Sequence, residues 1–267
     1  MDKIDITIAL TSCGRYDSLE KTILSLWKSI DLEKYEKVMT EDSQSITHIN
    51  KIVEANKNWF LKWWKIIYTK WSNQWSLYKC HHYALKQLYW EVNTKYVFHC
   101  EDDQIFKVVE NDYIYESKEI LEQNKNIWIV LLRDIIKDFW LKKTWLKKSR
   151  YYELLTDEEF IYNNKKYLYC TKSNNFSLQP WLRRTEEMKK IMFWFEDYVN
   201  EDLICSRYNE LWLITIIPIH GLYNHIEPLF NSTKNIKNLW FFNFIYSTLK
   251  WTLKYRIWLL IKYIIKK

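Results

Sequence analysis

Tyr96-Val97-Phe98-His99-Cys100-Glu101-Asp102-Asp103-Gln104-Ile105-Phe106 sets three consecutive carboxylates directly after a strand of the buried type. The strand shows a continuous apolar run rather than strict alternation, as in a parallel sheet covered on both faces. Crowding three carboxylates costs free energy unless a cation neutralises them, so coordination of a hard metal by oxygen is the chemistry this stretch suggests. A solvated acidic turn is the plainer alternative. The position of the triplet, at the C-terminal end of a strand preceded by three β-α units, argues against that alternative.

Working back toward the N-terminus, Ile4 to Leu10 reads as a strand, followed by a loop, Thr11-Ser-Cys-Gly-Arg-Tyr-Asp-Ser18, rich in helix-capping residues. Leu19 to Ile30 carries apolar residues at helical spacing. Tyr35 to Thr40 is a second strand ending in Glu41-Asp42-Ser43, Ile46 to Ala55 a second helix, Lys65 to Tyr68 a third strand, and Ser76 to Tyr89 a third helix. The repeated alternation predicts an α/β domain with a mostly parallel sheet, helices on both faces and ligands at the strand C-termini.

Beyond Phe106 the pattern loosens. Asp112 to Gln123 reads as a helix, Ile127 to Arg133 as a strand, and Lys142 to Lys166 as charged and partly irregular. Tyr167 to Phe176 leads into Leu178-Gln-Pro-Trp-Leu-Arg-Arg184, then helices near Thr185 to Phe193 and Glu201 to Glu210, and a strand from Ile214 to Ile219. The expected organisation is a domain over 1–235, with halves 1–108 and 109–235, and a basic amphipathic segment over 236–267. From Trp240 to Lys267, apolar residues at helical spacing alternate with Lys250, Lys254, Arg256, Lys262, Lys266 and Lys267. The run is too charged to span a bilayer and reads as an interfacial helix on an anionic membrane.

The composition carries an anomaly: two glycines against sixteen tryptophans in 267 residues. Ordinary usage would place about 19 glycines in a chain of this length. Trp71 and Trp75 fall in a polar loop, Thr69-Lys-Trp-Ser-Asn-Gln-Trp-Ser76, where turns want a residue tolerant of positive φ. Trp63-Trp64 precedes a β-rich run, and Trp212 stands where a helix C′ glycine belongs. These contexts suggest that many tryptophans stand for glycine, as when UGA codons specify glycine and are read as tryptophan. The alternative is a truly tryptophan-rich chain that binds sugars or membranes through its aromatic residues.

Five scattered cysteines without a Cys-x-x-Cys pair indicate neither a disulfide framework nor a zinc knuckle. The first residues enter a strand without the layout of a signal peptide. A cytoplasmic protein is expected. The net charge of +7 fits either a solvated lysine-rich surface or attraction to anionic lipid or phosphate. Nucleic acid is not an expected partner.

Taken together, the opening strand, Thr11-Ser-Cys-Gly-Arg-Tyr-Asp-Ser-Leu-Glu-Lys-Thr-Ile-Leu-Ser-Leu26, the Glu41-Asp42-Ser43 strand end, the Asn73-Gln74 loop and the acidic triplet in the place of a DxD motif resemble a family 2-type glycosyltransferase of the GT-A fold. The resemblance covers about residues 4 to 230. It implies that Thr11, Arg15 and Asp42 line a nucleotide pocket, with Asp42 accepting hydrogen bonds from the base. Glu101 and Asp102 would lie near the ribose and diphosphate, Asp103 would bind a divalent cation (Mn or Mg), and Asn73 would shape the loop beside the donor. Asn200-Glu201-Asp202 resembles the family's Glu-Asp pair, from which the aspartate acts as general base. Glu196-Asp197 is a rival pair. His225 resembles a histidine that completes the metal shell in some relatives, although Glu227 breaks the pattern and a structural histidine fits equally well. His220 lies in the same region. Cys80-His81-His82 is discounted as a metal site, because adjacent helical residues point apart.

There is no Gln-x-x-Arg-Trp motif and no multi-span membrane region, so transfer of a single sugar is expected rather than polymerisation. The implied activity is a metal-dependent, inverting transfer from a UDP- or GDP-linked sugar to a glycan or lipid-linked hydroxyl acceptor. Its setting would be cell-surface polysaccharide assembly, on the inner face of the cell membrane. Two rivals remain: a sugar-phosphate nucleotidyltransferase, which normally carries a Gly-rich loop after its first strand where only Gly14 occurs here, and a non-catalytic membrane-surface binding protein.

Overall fold

Strand β1 (Ile6–Ser12) is buried along its whole length, and its side chains divide between the two faces of the sheet. Ile6, Ile8 and Leu10 join a core on one face, while Ala9 joins a second core on the other. The strand is covered on both sides, and its second face also buries Thr7 and Thr11. The computed structural model describes residues 4–70, 77–109, 112–132, 155–170, 180–194, 201–219 and 221–225. All lie in one unit, Met1–Ile226.

The chain runs β1, α1 (Tyr16–Ser29), a 3-10 turn (Leu32–Lys34), β2 (Glu36–Glu41), α2 (Ile46–Asn58), β3 (Lys65–Tyr68), α3 (Leu77–Trp90) and β4 (Tyr96–Glu101). These four strands are mutually parallel, in the order β3-β2-β1-β4. The chain moves outward from β1 to β3 and then returns to place β4 on the other side of β1. The C-terminal ends of β1 and β4 therefore flank the point where the winding reverses, which in such sheets is the ligand crevice.

A short β5 (Gln104–Phe106) leads through α4 (Tyr113–Gln123) to β6 (Ile127–Leu131), a hairpin of β7 (Leu155–Tyr162) and β8 (Lys165–Cys170), β9 (Trp181–Arg184), α5 (Thr185–Trp194), α6 (Glu201–Glu210), β10 (Ile214–Pro218) and β11 (Tyr223–His225). Among the described residues the main sheet has nine strands, β3-β2-β1-β4-β9-β6-β10-β8-β7, and β5 pairs with β11 in a separate ribbon. β9 lies antiparallel between β4 and β6, so the sheet is parallel in its first half and mixed in its second. α1 starts from Arg15 without a side-chain cap, although the loop before it is rich in capping residues; α4 and α2 are capped. The Asp112 carboxylate accepts the Ile114 and Tyr115 N–H groups at 3.1 Å each, and the Ser45 hydroxyl accepts that of His48.

The stretch Lys142 to Lys166, expected to be charged and partly irregular, is regular in its described part, which from Leu155 onward is strand β7 and its turn into β8. Asn163 and Asn164 both have positive φ, 45° and 60°, between paired Tyr162 and Lys165. A two-residue hairpin turn of the primed type demands this, and asparagine accommodates it without glycine. The segment Trp181–Arg184, read as a lead-in to a helix, is a central strand in which Trp181, Leu182 and Arg183 are all buried.

Trp212 follows α6 with φ 55° and 78% exposure. The Leu213 N–H bonds to the Tyr208 carbonyl and the Trp212 N–H to the Asn209 carbonyl, both at 3.1 Å. With Tyr208 and Leu213 packed in the same core, this is a complete Schellman motif with tryptophan at the position that favours glycine. Trp63, φ 73° and 73% exposed, is the third residue of a turn closed by the Trp64 N–H on the Leu61 carbonyl at 3.0 Å. Positive φ at that place is again glycine's. Trp71 and Trp75 lie outside the described residues, as does the segment 236–267.

Candidate functional site

The C-terminal ends of β2, β1 and β4 lie level. Thr11 is in register with Thr40 on one side and Glu101 on the other. The Asp42 N–H donates to the Ser12 carbonyl and the Asp102 N–H to the Thr11 carbonyl, both at 3.1 Å. Main-chain pairing thus carries on one residue past β2 and β4 and fixes Asp42 and Asp102 on opposite sides of β1. Five of the residues expected at the donor, Thr11, Arg15, Asp42, Glu101 and Asp102, lie at these strand ends and the loops beyond them, together with Asp103.

Glu41 organises the loops above these strand ends. Its Oε1 accepts the Gly14 N–H at 3.3 Å and the Ser43 N–H at 2.9 Å, and its Oε2 lies 2.9 Å from His48 Nε2. Burial works against the charge of Glu41, yet the hydrogen bonds from His48 and Ser43 hold its carboxyl below the usual range. Gly14 has φ +69°, and a Cβ there would lie 3.1 Å from Ser43 Cβ. The close approach of these two loops therefore depends on glycine. Asp42 is buried, which raises its carboxyl, while a hydrogen bond from the Cys13 thiol and the nearby charge of His81 oppose the rise.

Across β1, Asp102 is fully buried. Burial raises its pKa to about 6 against the pull of Arg15 and of the Cys13 N–H, which donates to Asp102 Oδ2 at 3.1 Å. The Arg15 guanidinium spans both aspartates: one nitrogen pairs with Asp102 Oδ1 and the other with Asp103 Oδ2 at 2.9 Å. Gln104, also fully buried, accepts the Glu101 N–H at 3.0 Å and shapes the turn that carries the triplet.

The β5–β11 ribbon brings His225 into register with Gln104, one residue from Asp103, so the backbone places the expected histidine beside the acidic triplet. Glu201 and Asp202 form the first turn of α6. Asn73, His220 and the rival pair Glu196-Asp197 lie outside the described residues.

No group of three or more ligating side chains that could hold a metal occurs among the described residues. The converging carboxylates of Asp102 and Asp103 nevertheless fit a hard cation of the magnesium or manganese type, which commonly takes one or two carboxylates and fills its shell with substrate phosphates and water. Glu41, His48 and Gln104 were not singled out from sequence, since their contribution depends on loops that meet only in the fold. His81 was set aside with its neighbours, yet its charge acts on Asp42.

No protein-family model and no curated protein sequence matches the chain. Solved structures do. S. aureus TarS aligns with a TM-score of 0.51 at 12% identity, over 82% of this chain and 36% of that one. TarS 1-349 in complex with UDP-GlcNAc aligns at 0.50 and 15% identity, over 85% and 61%. GalNAc-T7 with UDP, GalNAc and Mn2+ aligns at 0.54 and 8% identity, over 82% and 43%. These are GT-A glycosyltransferases, and the chain has their fold. It spans about 36 to 61% of their lengths.

Proposed function

We propose that the protein is a metal-dependent glycosyltransferase of family 2 type, transferring one hexose with inversion from a UDP- or GDP-linked donor to a hydroxyl acceptor. The observation that carries this reading is the convergence, at the reversal point of the sheet, of buried Asp42 on one side of β1 and the Asp102–Asp103 pair on the other. A nucleoside laid across the strand ends would meet Asp42, and its diphosphate the acidic pair. Asp102 and Asp103 would hold the cation, with His225 as a further ligand. When bound, the cation supplies positive charge that offsets the charge growing on the departing diphosphate.

Asp202 takes the proton of the acceptor hydroxyl. The acceptor oxygen then bonds to the anomeric carbon as the bond from that carbon to the phosphate oxygen breaks, and the nucleoside diphosphate leaves. Glu201 precedes the base and Asn73 borders the donor. In this reading the protein acts in cell-surface glycan assembly at the cytoplasmic membrane face, and glycine belongs at Trp63 and Trp212, as UGA recoding would give.

The test is a pair of substitutions. Asp103→Ala is expected to abolish metal-dependent turnover while leaving the thermal unfolding profile in place. Asp202→Asn is expected to lower kcat by about 10²-fold or more with donor binding little changed. Full activity of Asp103→Ala at low metal removes the metal assignment, and a loss in Asp197→Asn in place of Asp202→Asn moves the base to the earlier pair.

A further inference from the structure

Arg15 follows Gly14 and is the N-cap residue of α1, yet its side chain makes no cap hydrogen bond there. It reaches the turn that follows β4, where its two terminal nitrogens divide between Asp102 and Asp103. Its side chain remains 49% exposed, while that of Asp102 is fully buried. The backbone beneath it is pinned from both sides, since the Cys13 N–H donates to Asp102 and the Gly14 N–H to Glu41. A long, half-solvated side chain on a fixed base can turn outward without moving the strand ends.

The guanidinium uses Asp102 Oδ1 and Asp103 Oδ2, oxygens that a divalent cation bound by the pair would also need. Cation and guanidinium carry like charge and cannot share the pair closely in a partly buried site. Resting on the glycosyltransferase reading, we propose that Arg15 is the resident counter-ion of the Asp102–Asp103 pair and gives way to the divalent cation only when a nucleoside diphosphate arrives to receive it. Arg15 neutralises a buried carboxylate that would otherwise stand uncompensated. When the nucleotide enters, its phosphates offer the guanidinium a fork-shaped partner of equal quality, and the freed carboxylates take the metal. Free metal binds weakly because it must first displace Arg15, and the nucleotide removes that cost. Metal and nucleotide therefore bind with positive coupling, and the coupling runs through one side chain.

The experiment is a titration of the full chain with Mn2+, followed by electron paramagnetic resonance of the free ion, with and without UDP and in parallel with GDP. In the unaltered protein Mn2+ alone is expected to bind weakly and the nucleotide to tighten it strongly. In Arg15→Gln, Mn2+ alone is expected to bind about tenfold more tightly, and the tightening by nucleotide to shrink by a similar factor. Arg15→Lys, which keeps a charge but cannot span both carboxylates, is expected to fall between the two, and it decides the matter should the glutamine variant fail to fold. If both variants bind Mn2+ alone no better than the unaltered protein while the nucleotide still tightens metal binding, the exchange is overturned and the glycosyltransferase reading stands. If the unaltered protein and the variants bind neither Mn2+ nor either nucleotide, both fall.

Discussion

Trp212 holds a left-handed backbone at the end of α6, in a motif otherwise complete in its hydrogen bonds and its hydrophobic contact. A bulky side chain costs roughly 1–2 kcal/mol in that conformation. Trp212→Gly is therefore expected to stabilise the protein by about 1 kcal/mol in urea unfolding, and a clear destabilisation would contradict the glycine reading. His99 makes a second prediction. It is wholly buried, its Nδ1 2.8 Å from the Tyr89 hydroxyl and its ring stacked on Trp181, and burial, helped by His81 and Arg183, lowers its pKa to about 3. An unfolded imidazole titrates at about 6.5, so between these values the unfolded chain binds more protons than the folded one. The stability gained from a neutral His99 is complete above pH 6.5 and is lost as pH falls toward 3. Between pH 7 and pH 4.5, His99→Phe is expected to lose about 2 kcal/mol less stability than the unaltered protein, and equal losses would contradict the assignment. The residues of the acidic triplet could be read from sequence because a carboxylate run after a buried strand is informative by itself. Glu41 could not, because its value lies in the two loops it joins.

The parallel half of the sheet is legible because its first three strands each carry a short apolar stretch and are each followed by a helix with clear periodicity. β9 was hidden by Arg183 and Arg184, two charges that argue against a central strand. The fold accommodates both. Arg183 lies between the rings of Trp181 and Tyr208, at 4.3 and 4.9 Å, and burial lowers its pKa to about 9. Arg184 donates to the carbonyls of Leu121 and Asn124 at the end of α4 and to that of Ile127 at 2.9 Å. Arg184 thus serves as a side-chain cap for α4. Arg184→Met keeps the apolar stem but leaves these partly buried carbonyls without a donor, and is expected to cost about 1–3 kcal/mol in thermal or urea unfolding. A neutral result would show that water replaces the guanidinium. The turn of β7 into β8 was missed for a different reason, since Asn163-Asn164 lacks the glycine that usually marks such a hairpin.

The 28 C-terminal positions rich in lysine and apolar residues lie outside the described residues, and no helix among the described residues is long and apolar enough to cross a membrane. If the segment lies on an anionic membrane, removing residues 240–267 is expected to leave a folded enzyme that no longer sediments with anionic vesicles at low salt. Unfolding of the truncated protein, or indifference of the full chain to vesicles, would make the segment structural. The site itself rests on a broader claim, that the strand ends around Asp42, Asp102 and Asp103 hold and activate a nucleotide sugar. The direct measurement is nucleoside diphosphate release from a panel of UDP- and GDP-sugars with Mn2+, comparing the unaltered chain with Asp103→Ala and with chelator, and using water as the default acceptor. The account predicts that at least one donor is cleaved, that chelator stops the reaction, and that Asp103→Ala is inactive. Cleavage that persists both in chelator and in Asp103→Ala, or a chain that neither binds nor cleaves any of these donors, would contradict it.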